Sequence, residues 1–431
     1  MTAYRAPRGT EDYLPDRIPL QDHVFRVSRE VCERYGYREI RTPLFEETRL
    51  FVRSLGEVTD VVEKEMFTCE RGDTSITFRP EATAGVIRAY LEHNLHKIRP
   101  FQKWFYIGPM FRFERPQAAR QRQFHQVGIE AVGSRDPRLD AEVVHLGGKL
   151  LESLGIEGAR VHLNSIGDRE DRARYRRVLT EKIRPRLDEY CEDCRNRFTR
   201  NVFRILDCKV RGCRERNALL PPFLEHLGPE SREHFEEVQR HLEALSRPFL
   251  VDPGIVRGLD YYTHTVFEWK VEGIGARDTV IGGGRYDDLV EELGGPSIPS
   301  IGFSLGVTGV LLAMKKQGLD LPHLGEKPCP LFVAAPGEED RGEALRLAEE
   351  VRQAGLPCDL DFEGRSMKGQ MRAADKRGAS LVLILGEEER RKGVVLIRDM
   401  KDKSQREIPR DRGLTGELER LLASHDASEE G

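Results

Sequence analysis

A polar segment in the first third of the chain concentrates four arginines within eleven residues. It reads Phe111-Arg112-Phe113-Glu114-Arg115-Pro116 and, three residues later, Arg120-Gln121-Arg122-Gln123-Phe124-His125-Gln126. Each guanidinium group matches phosphate oxygens with two parallel hydrogen bonds, so this density of arginine predicts an anion site. Glu114 among them can orient an arginine or accept a hydrogen bond from an amine. A solvated surface loop explains the charges alone equally well, because charge runs usually face water.

Two further segments carry side chains or backbone that could contact a ligand. The first, Val256-Arg257-Gly258-Leu259-Asp260-Tyr261-Tyr262, sets one arginine and two tyrosines in apolar sequence. Taken alone, it favours an ordinary strand pair with one charge at its edge. The second, Gly282-Gly283-Gly284-Arg285-Tyr286-Asp287, allows close approach of backbone to a ligand. Glycine runs also mark bulges and turns, so this segment is weak evidence by itself.

The elements that must position these residues follow from the spacing of apolar side chains. Valines at helical spacing predict a helix over residues 20–35. Residues 75–79 alternate as a strand, and residues 81–95 return to helical spacing. Residues 104–112 and 124–132 indicate two strands, so the arginine-rich segment is the loop that joins them. Hairpin loops usually contain about two to five residues, and longer loops commonly carry function.

The order of elements divides the chain into two domains of an α+β protein. An antiparallel sheet domain is expected over residues 1–167 and 248–321. Residues 168–247, which separate its two parts, are charged and helical and form an insertion. Strands alternate with helices over residues 328–425, which predicts a C-terminal α/β domain.

Composition limits the functions that these features can serve. The 431 residues include 69 Lys or Arg and 73 Asp or Glu, and the net charge of −4 excludes a positive field over the whole chain. Nucleic acid would need a local basic patch, either the arginine-rich loop or one helix of the C-terminal domain, although a solvated face explains that helix equally well. Its basic residues are Arg365, Lys368, Arg372, Lys376 and Arg377.

No apolar run reaches about 18 residues and no secretory signal is recognisable, so we expect a cytoplasmic protein with no membrane partner.

Together these segments resemble the bacterial histidyl-tRNA synthetase family, a family of class II aminoacyl-tRNA synthetases. The resemblance covers nearly the whole chain, from Arg8-Gly9-Thr10-Glu11-Asp12 to the C-terminal domain. Thr42-Pro43-Leu44-Phe45-Glu46 is similar to the dimer-forming first class II motif, and residues 111–124 are similar to the second. Residues 257–262 and 282–287 are similar to two segments peculiar to histidine-specific enzymes, and the former is the most specific of these matches.

The resemblance implies a reaction and the partners for it. Such an enzyme activates L-histidine with ATP, whose counter-ion is Mg²⁺, and transfers the histidyl group to the 3′ end of tRNA(His). It is a homodimer with an antiparallel class II catalytic sheet, a helical insertion and a C-terminal anticodon-binding domain.

The resemblance also assigns residues to the site. Arg112 and Arg257 would be catalytic and would hold the α-phosphate from two sides. ATP would contact Arg112, Glu114 and Arg120. The α-ammonium group of histidine would bind Glu81, Thr83 and Gln126, and its imidazole would reach Glu130 and Tyr262, beside Tyr261. The glycine-rich wall of the pocket would comprise Gly283, Gly284 and Gly306.

One position departs from the family pattern. The third class II motif normally ends in a Glu-Arg pair, and that arginine packs on the adenine and γ-phosphate of ATP. Here Gly302-Phe303-Ser304-Leu305-Gly306-Val307 is followed by Thr308 and Gly309. Either another cation compensates, or the sequence was altered, or the protein is a weakened relative. The alternative function is therefore a non-catalytic or weakened regulatory paralogue that senses histidine, although the C-terminal domain and the Arg257 segment argue against it.

Eight cysteines in a chain of this length indicate a reducing compartment rather than a disulfide scaffold. Four of them approach the spacing of a structural zinc site: Cys191, Cys194, Cys208 and Cys213. The gap between the last two is wider than in the commonest zinc sites, and the family at large does not require zinc here. The sequence therefore favours unpaired apolar cysteines, and no metal is assigned to the site residues.

Overall fold

The computed structural model describes residues 4–56, 59, 61–116, 120–206, 208–255, 261–274, 278–319, 329–411 and 413–426. They belong to two compact units, residues 1–324 and residues 325–431. No helix within these described ranges is long and apolar enough to cross a membrane.

The first unit contains a large sheet and a small one. Its strands in chain order are β1 (Arg38–Glu39), β2 (Phe45–Glu47), β3 (Phe67–Arg71), β4 (Thr74–Phe78), β5 (Gln102–Phe111), β6 (Gln123–Val132), β7 (Arg160–Ser165), β8 (Phe249–Val251), β9 (Thr263–Lys270), β10 (Thr279–Arg285) and β11 (Ser300–Gly306). In the large sheet the strand order is β1-β5-β6-β11-β10-β9-β7-β8, and in the small sheet it is β2-β4-β3.

The large sheet is antiparallel except at its two edges, where β1 pairs with β5 and β7 pairs with β8 in parallel. The β5–β6 hairpin is its longest ladder and runs without a register shift from Gln102 opposite Val132 to Phe111 opposite Gln123. Pairing stops where the arginine-rich loop begins, so the hairpin presents that loop at one end of the sheet. This antiparallel sheet, together with the separate C-terminal sheet, confirms the predicted α+β fold class.

Helices of the first unit are α1 (Ile18–Arg34), α2 (Thr48–Leu55), α3 (Thr83–Glu92), α4 (Leu95–Ile98), α5 (Pro137–Ser153), α6 (Arg169–Ile183), α7 (Glu192–Arg200), α8 (Arg211–Asn217), α9 (Pro229–Ala244), α10 (Leu289–Glu292) and α11 (Val307–Lys316). A π-helical turn spans Val61–Glu65, and 3₁₀ turns span Arg184–Glu189, Val202–Ile205 and Phe223–His226. Local sequence explains where several helices begin. Asp136 caps α5 by accepting from the backbone N–H of Arg138 at 2.9 Å, and Pro137 occupies its first position.

Side-chain alternation along the strands separates two apolar cores. On β5, Phe105 belongs to one core, whereas Trp104 and Tyr106 belong to the other. Helices α1, α5, α9 and α11 contribute apolar side chains to the first core. The second core contains Tyr261, Tyr262 and Tyr286 and therefore places a cluster of hydroxyl groups on this face of the sheet.

The helices α6 to α9 and the intervening 3₁₀ turns lie between β7 and β8. Much of this region packs around a small core of its own, in which Tyr175, Phe203 and Phe223 make aromatic contacts. Asp168 and Asp171 form a capping box that fixes the start of α6.

The second unit has a five-stranded sheet in the order β13-β12-β14-β15-β16. Its strands are β12 (Leu331–Ala334), β13 (Cys358–Leu360), β14 (Leu381–Ile384), β15 (Val394–Asp399) and β16 (Gln405–Pro409), and its helices are α12 (Arg341–Gln353), α13 (Met367–Lys376), α14 (Glu387–Lys392) and α15 (Leu414–Asp426). The first three strands are parallel, as expected for strands joined through helices, and β15 and β16 add an antiparallel hairpin.

Candidate active site

A cavity of about 1020 Å³ opens in the first unit on the tyrosine-rich face of the large sheet. Nine of the side chains expected in the site line it: Glu81, Thr83, Arg112, Glu114, Arg120, Gln126, Glu130, Tyr261 and Tyr262. They come from the start of α3, from the β5–β6 hairpin and its loop, and from the segment before β9. Arg257, the other expected catalytic residue, lies outside the described residues.

Glu130 on β6 forms the buried acidic part of the cavity. Its Oε1 accepts a 2.7 Å hydrogen bond from the Thr83 hydroxyl, and its Oε2 accepts one from the Tyr286 hydroxyl. The side chain is 1% exposed, and this burial raises the pKa of the Glu130 carboxyl to about 8. A carboxyl group held by two hydroxyls in this way can accept a hydrogen bond from a cationic or N–H-bearing ligand.

Glu81 provides a second buried carboxylate, at the N-terminus of α3. Its Oε2 accepts from the backbone N–H of Thr83 at 2.6 Å, and its Oε1 accepts from that of Ala84 at 3.0 Å. These bonds satisfy donors that a helix start leaves free, and they fix the carboxylate at the cavity wall. Burial raises the pKa of Glu81, so a ligand cation would favour its ionised form.

Gln126 has one unsatisfied polar atom. Its amide nitrogen donates to the Ser304 hydroxyl over 3.4 Å, while its buried Oε1 has no hydrogen-bond partner among the described residues. Buried acceptors are nearly always paired in folded proteins, so a lone acceptor on a cavity wall indicates a place for a ligand donor.

Two arginines of the loop reach the cavity, with Glu114 between them. Arg112 donates from Nε to the carbonyl oxygen of Pro80 at 2.8 Å and lines the cavity. Arg120 pairs with Glu114 at 2.7 Å, and Arg112 lies 3.9 Å from the other oxygen of Glu114. The three side chains are 16–29% exposed, so a bound anion would meet cations that are partly shielded from water.

Another arginine of the loop has a structural role. The guanidinium carbon of Arg122 stacks 3.7 Å from the centre of the Phe113 ring, and its backbone N–H donates to the carbonyl of Gly9 at 2.6 Å. These contacts tie the loop to the N-terminal segment. Arg115 is exposed at the surface.

Tyrosines that the sequence analysis did not assign complete the pocket. Tyr106 and Tyr286 line the cavity with Tyr261, whose ring centre is 5.6 Å from that of Tyr286. Burial raises the pKa of all three hydroxyls well above the usual value, so they remain protonated donors. Strand alternation could have revealed Tyr106, because it shares a face with Trp104 and lies opposite Gly128.

The glycine-rich wall differs in part from expectation. Gly306 lines the cavity, and Gly282 and Gly302 line it as well. Gly283 does not, because alternation along β10 turns it to the opposite core, where a β-carbon would lie 2.9 Å from the ring of Phe267. Gly284 packs beneath Tyr262, with only 2.9 Å between a β-carbon and that ring.

The departure at Thr308-Gly309 lies in the first turn of α11. Among the described residues, a β-carbon at Gly309 would meet only the side chain of Val280, at 3.6 Å. Such a distance is ordinary van der Waals contact, so the start of the helix has space for a side chain.

The fold and this site define a class II aminoacyl-tRNA synthetase. The chain matches the family model "Histidyl-tRNA synthetase" over residues 9–310 and the model "Anticodon binding domain" over residues 331–416. The chain therefore belongs to the histidyl-tRNA synthetase family, as its motifs indicated.

Individual relatives agree with this family assignment. A protein named histidine–tRNA ligase from Geobacillus sp. (strain WCH70) is 46% identical over 412 residues, which cover 94% of this chain and 97% of the relative. Another of that name from Desulforudis audaxviator is 48% identical and covers 91% of this chain and 93% of its own. The apo histidyl-tRNA synthetase of S. aureus is similar in structure with a TM-score of 0.78 and 36% identity, covering 96% of this chain and 99% of the other. Nothing in these comparisons favours the non-catalytic paralogue.

Proposed function

We propose that this protein is a histidine–tRNA ligase, which forms histidyl-adenylate from L-histidine and ATP and then transfers the histidyl group to the 3′ end of tRNA(His). The observation that carries the proposal is the buried Glu130 carboxylate, held by Thr83 and Tyr286, in the same cavity as Arg112. Glu130 can accept from a ring N–H of an imidazole while a hydroxyl pairs with the other ring nitrogen, and arginine matches the negative charge of the activated phosphate.

The polar groups of the cavity form two sets, one for the imidazole ring of histidine and one for its α-ammonium group. Glu130, with Tyr262 near it, would hold the ring. Glu81, Thr83 and the unpaired Oε1 of Gln126 would accept from the α-ammonium group. A site whose buried polar groups are satisfied only by the correct ligand rejects analogues that lack a donor, because the groups are then left unpaired.

The arginines would stabilise the charge that develops during adenylate formation. Attack of the histidine carboxylate on the α-phosphate builds negative charge on the phosphorus oxygens while pyrophosphate leaves. Arg112 would hold the α-phosphate, and Arg120, positioned by Glu114, would bind the ATP end. Cations placed in advance lower the barrier because they need no reorganisation during the reaction. Mg²⁺ would accompany ATP and offset the charge of its phosphates.

Arg257 lies outside the described residues. Its assignment to the α-phosphate therefore rests on the family resemblance. We expect Arg257→Ala to slow adenylate formation by on the order of 10²-fold while the affinity for histidine changes little. A pyrophosphate exchange rate equal to that of the wild type would remove Arg257 from the reaction.

Histidine-dependent exchange of labelled pyrophosphate into ATP tests the proposal. We expect exchange with histidine and none with glutamine or arginine. Glu130→Gln should lose most of this exchange at low histidine, whereas Glu230→Gln, at an exposed position of α9, should retain it. If no amino acid supports exchange, the result would favour the regulatory paralogue. If an amino acid other than histidine supports it, histidine would be rejected as the substrate.

The partners extend this proposal. On α13 the exposed residues Lys368, Arg372 and Lys376 would contact phosphates of tRNA(His), whereas Arg365 is held by Asp361 at 2.8 Å and Arg377, just after the helix, by Asp359 at 3.1 Å. Leu44 and Phe45 are 42% and 50% exposed, and β2 is an edge strand, which supports a homodimer through this segment.

The proposal places the protein in the cytoplasm, where its eight free thiols would remain reduced.

A further inference from the structure

Four cysteine side chains of the region between β7 and β8 converge on one point. The Sγ atoms of Cys191, Cys194, Cys208 and Cys213 all lie within 4.8 Å of one another, and those of Cys191 and Cys208 are 3.7 Å apart. Three of the side chains are buried and Cys191 is half-buried. The four are free thiols. The wider gap between Cys208 and Cys213 therefore does not keep them apart, although the sequence alone favoured isolated cysteines.

The sulfur spacing matches a single tetrahedral metal ion. Four thiolates at about 2.3 Å from zinc lie roughly 3.8 Å from one another, since a tetrahedron's edge is about 1.6 times its centre-to-vertex distance. An iron–sulfur cluster distributes its four cysteines over two or more iron atoms and therefore holds them farther apart than a single ion does. We propose that Cys191, Cys194, Cys208 and Cys213 bind one structural Zn²⁺ ion.

A backbone donor lies beside one of the sulfur atoms. The N–H of Cys191 donates to Cys213 Sγ at 3.3 Å. Outer hydrogen bonds of this kind fix the ligands of a metal site and favour their charged form.

The local charge also suits a zinc–tetrathiolate centre, which carries a net charge of −2. Residues 191–216 contain eight Lys or Arg and four Asp or Glu, so their formal charge without the thiols is 8 − 4 = +4. The segment therefore remains positive after the metal centre is added. Arg216, which stacks 5.9 Å from Tyr190, lies in this segment.

The ion would link the region to the active site. Three of its ligands belong to a small buried core, and domains with small cores commonly need a metal or disulfide to fold stably. Cys208 and the neighbouring Lys209 line the main cavity. A metal at Cys208 would thus hold one wall of that cavity in place.

Metal analysis of the full-length protein tests the proposal. Protein purified without chelators from cells grown with zinc should contain about one zinc per chain by mass spectrometry of the metal. Cys194→Ser and Cys208→Ser should lower this to below about a tenth, and limited proteolysis should then cleave within residues 184–217. Cys69→Ser, which removes an exposed cysteine elsewhere in the chain, should leave the zinc content unchanged.

Cys213→His keeps the proposal testable if the serine variants do not fold, because three cysteines and one histidine also bind zinc in a tetrahedron. This variant should retain one zinc. Wild-type protein without stoichiometric metal, with iron in place of zinc, or with a disulfide among these four cysteines would overturn the assignment. These readouts do not depend on aminoacylation, so they are separate from the test of the proposed function.

Discussion

Gly302 on β11 lies directly opposite Glu130 on β6, and a β-carbon at position 302 would overlap the Oε2 atom of that carboxylate. The missing side chain therefore creates the space that the buried carboxyl group occupies. Oε2 accepts the hydrogen bond from Tyr286, so this space also aligns the acceptor with its donor. The glycine next to a buried charge is thus part of the proposed histidine pocket.

Gly302→Ala should consequently displace Glu130 and weaken histidine binding. We expect a loss of about 1–3 kcal/mol in the free energy of unfolding, because overpacking a buried site forces side chains from their positions. Urea unfolding and calorimetry with histidine would measure the two effects. Gly342→Ala in α12 is the control, since a β-carbon there meets no described residue within 4 Å, and it should stabilise the helix slightly. Histidine affinity equal to the wild type in Gly302→Ala would contradict the arrangement.

Glu130→Gln should weaken histidine binding by about 1–3 kcal/mol, because glutamine replaces one acceptor oxygen with an NH₂ donor and would leave a ring N–H poorly paired. Calorimetric titration with histidine gives this difference directly. The substitution preserves the shape of the side chain and should leave the far-ultraviolet circular dichroism spectrum unchanged. A variant that binds histidine like the wild type would remove Glu130 from ring recognition.

The same side chain predicts a pH dependence of stability. Burial raises the pKa of Glu130 to about 8 in the folded protein, whereas the pKa of an unfolded glutamate is about 4.3. The folded state therefore binds the proton more strongly, and this stabilisation is complete below the unfolded pKa and is lost as the pH rises through 8. Glutamine does not titrate, so the free energy of unfolding of Glu130→Gln relative to wild type should increase between pH 5.5 and 8.5. A difference that stays constant over this range would show that Glu130 titrates normally.

Gln126→Leu separates ligand binding from stability. The Oε1 of Gln126 is buried without a partner among the described residues, so replacing the amide with an apolar group of similar size removes a desolvated acceptor. We expect an equal or higher melting temperature together with a several-fold increase in KM for histidine. Scanning calorimetry and exchange kinetics at varied histidine concentrations provide the two readings. An unchanged KM would exclude Gln126 from the ammonium contact.

Local signals predicted the scaffold of the site well. Apolar spacing located α1 and the β5–β6 hairpin, because a buried face imposes its period on the sequence. The hairpin in turn places Gln126 and Glu130 on one face of β6, as alternation requires. The family resemblance, rather than spacing, supplied the role of each residue.

Contacts between distant segments were harder to predict. Tyr286 reaches Glu130 across 156 positions of sequence, and no local pattern indicates that pair. Gly283 and Gly284 face opposite sides of the sheet by alternation, and which of them faces the tyrosine-rich side depends on how β10 pairs with its neighbours. The meeting of Cys191 with Cys208 likewise depends on how the region between β7 and β8 folds back, which the spacing of the cysteines does not determine.

The double change Thr308→Glu with Gly309→Arg tests whether an ATP contact is missing. A β-carbon at Gly309 would lie at an ordinary contact distance of 3.6 Å from Val280, so the position has space for a side chain. Arginine would add a charge-assisted contact to the nucleotide, and removal of glycine from the first turn of α11 would stabilise the helix by up to about 1 kcal/mol. We expect a lower KM for ATP, faster pyrophosphate exchange and an unchanged affinity for histidine.

Gly309→Ala is the matched control, because it removes the glycine without adding a charge. It should raise the melting temperature slightly and leave the KM for ATP unchanged. If the double variant instead has equal or slower ATP kinetics while the alanine variant is normal, the arginine has no vacant contact to fill. That result would mean that another cation of the cavity already serves the nucleotide, and that the chain has compensated for the loss of the arginine in its third motif.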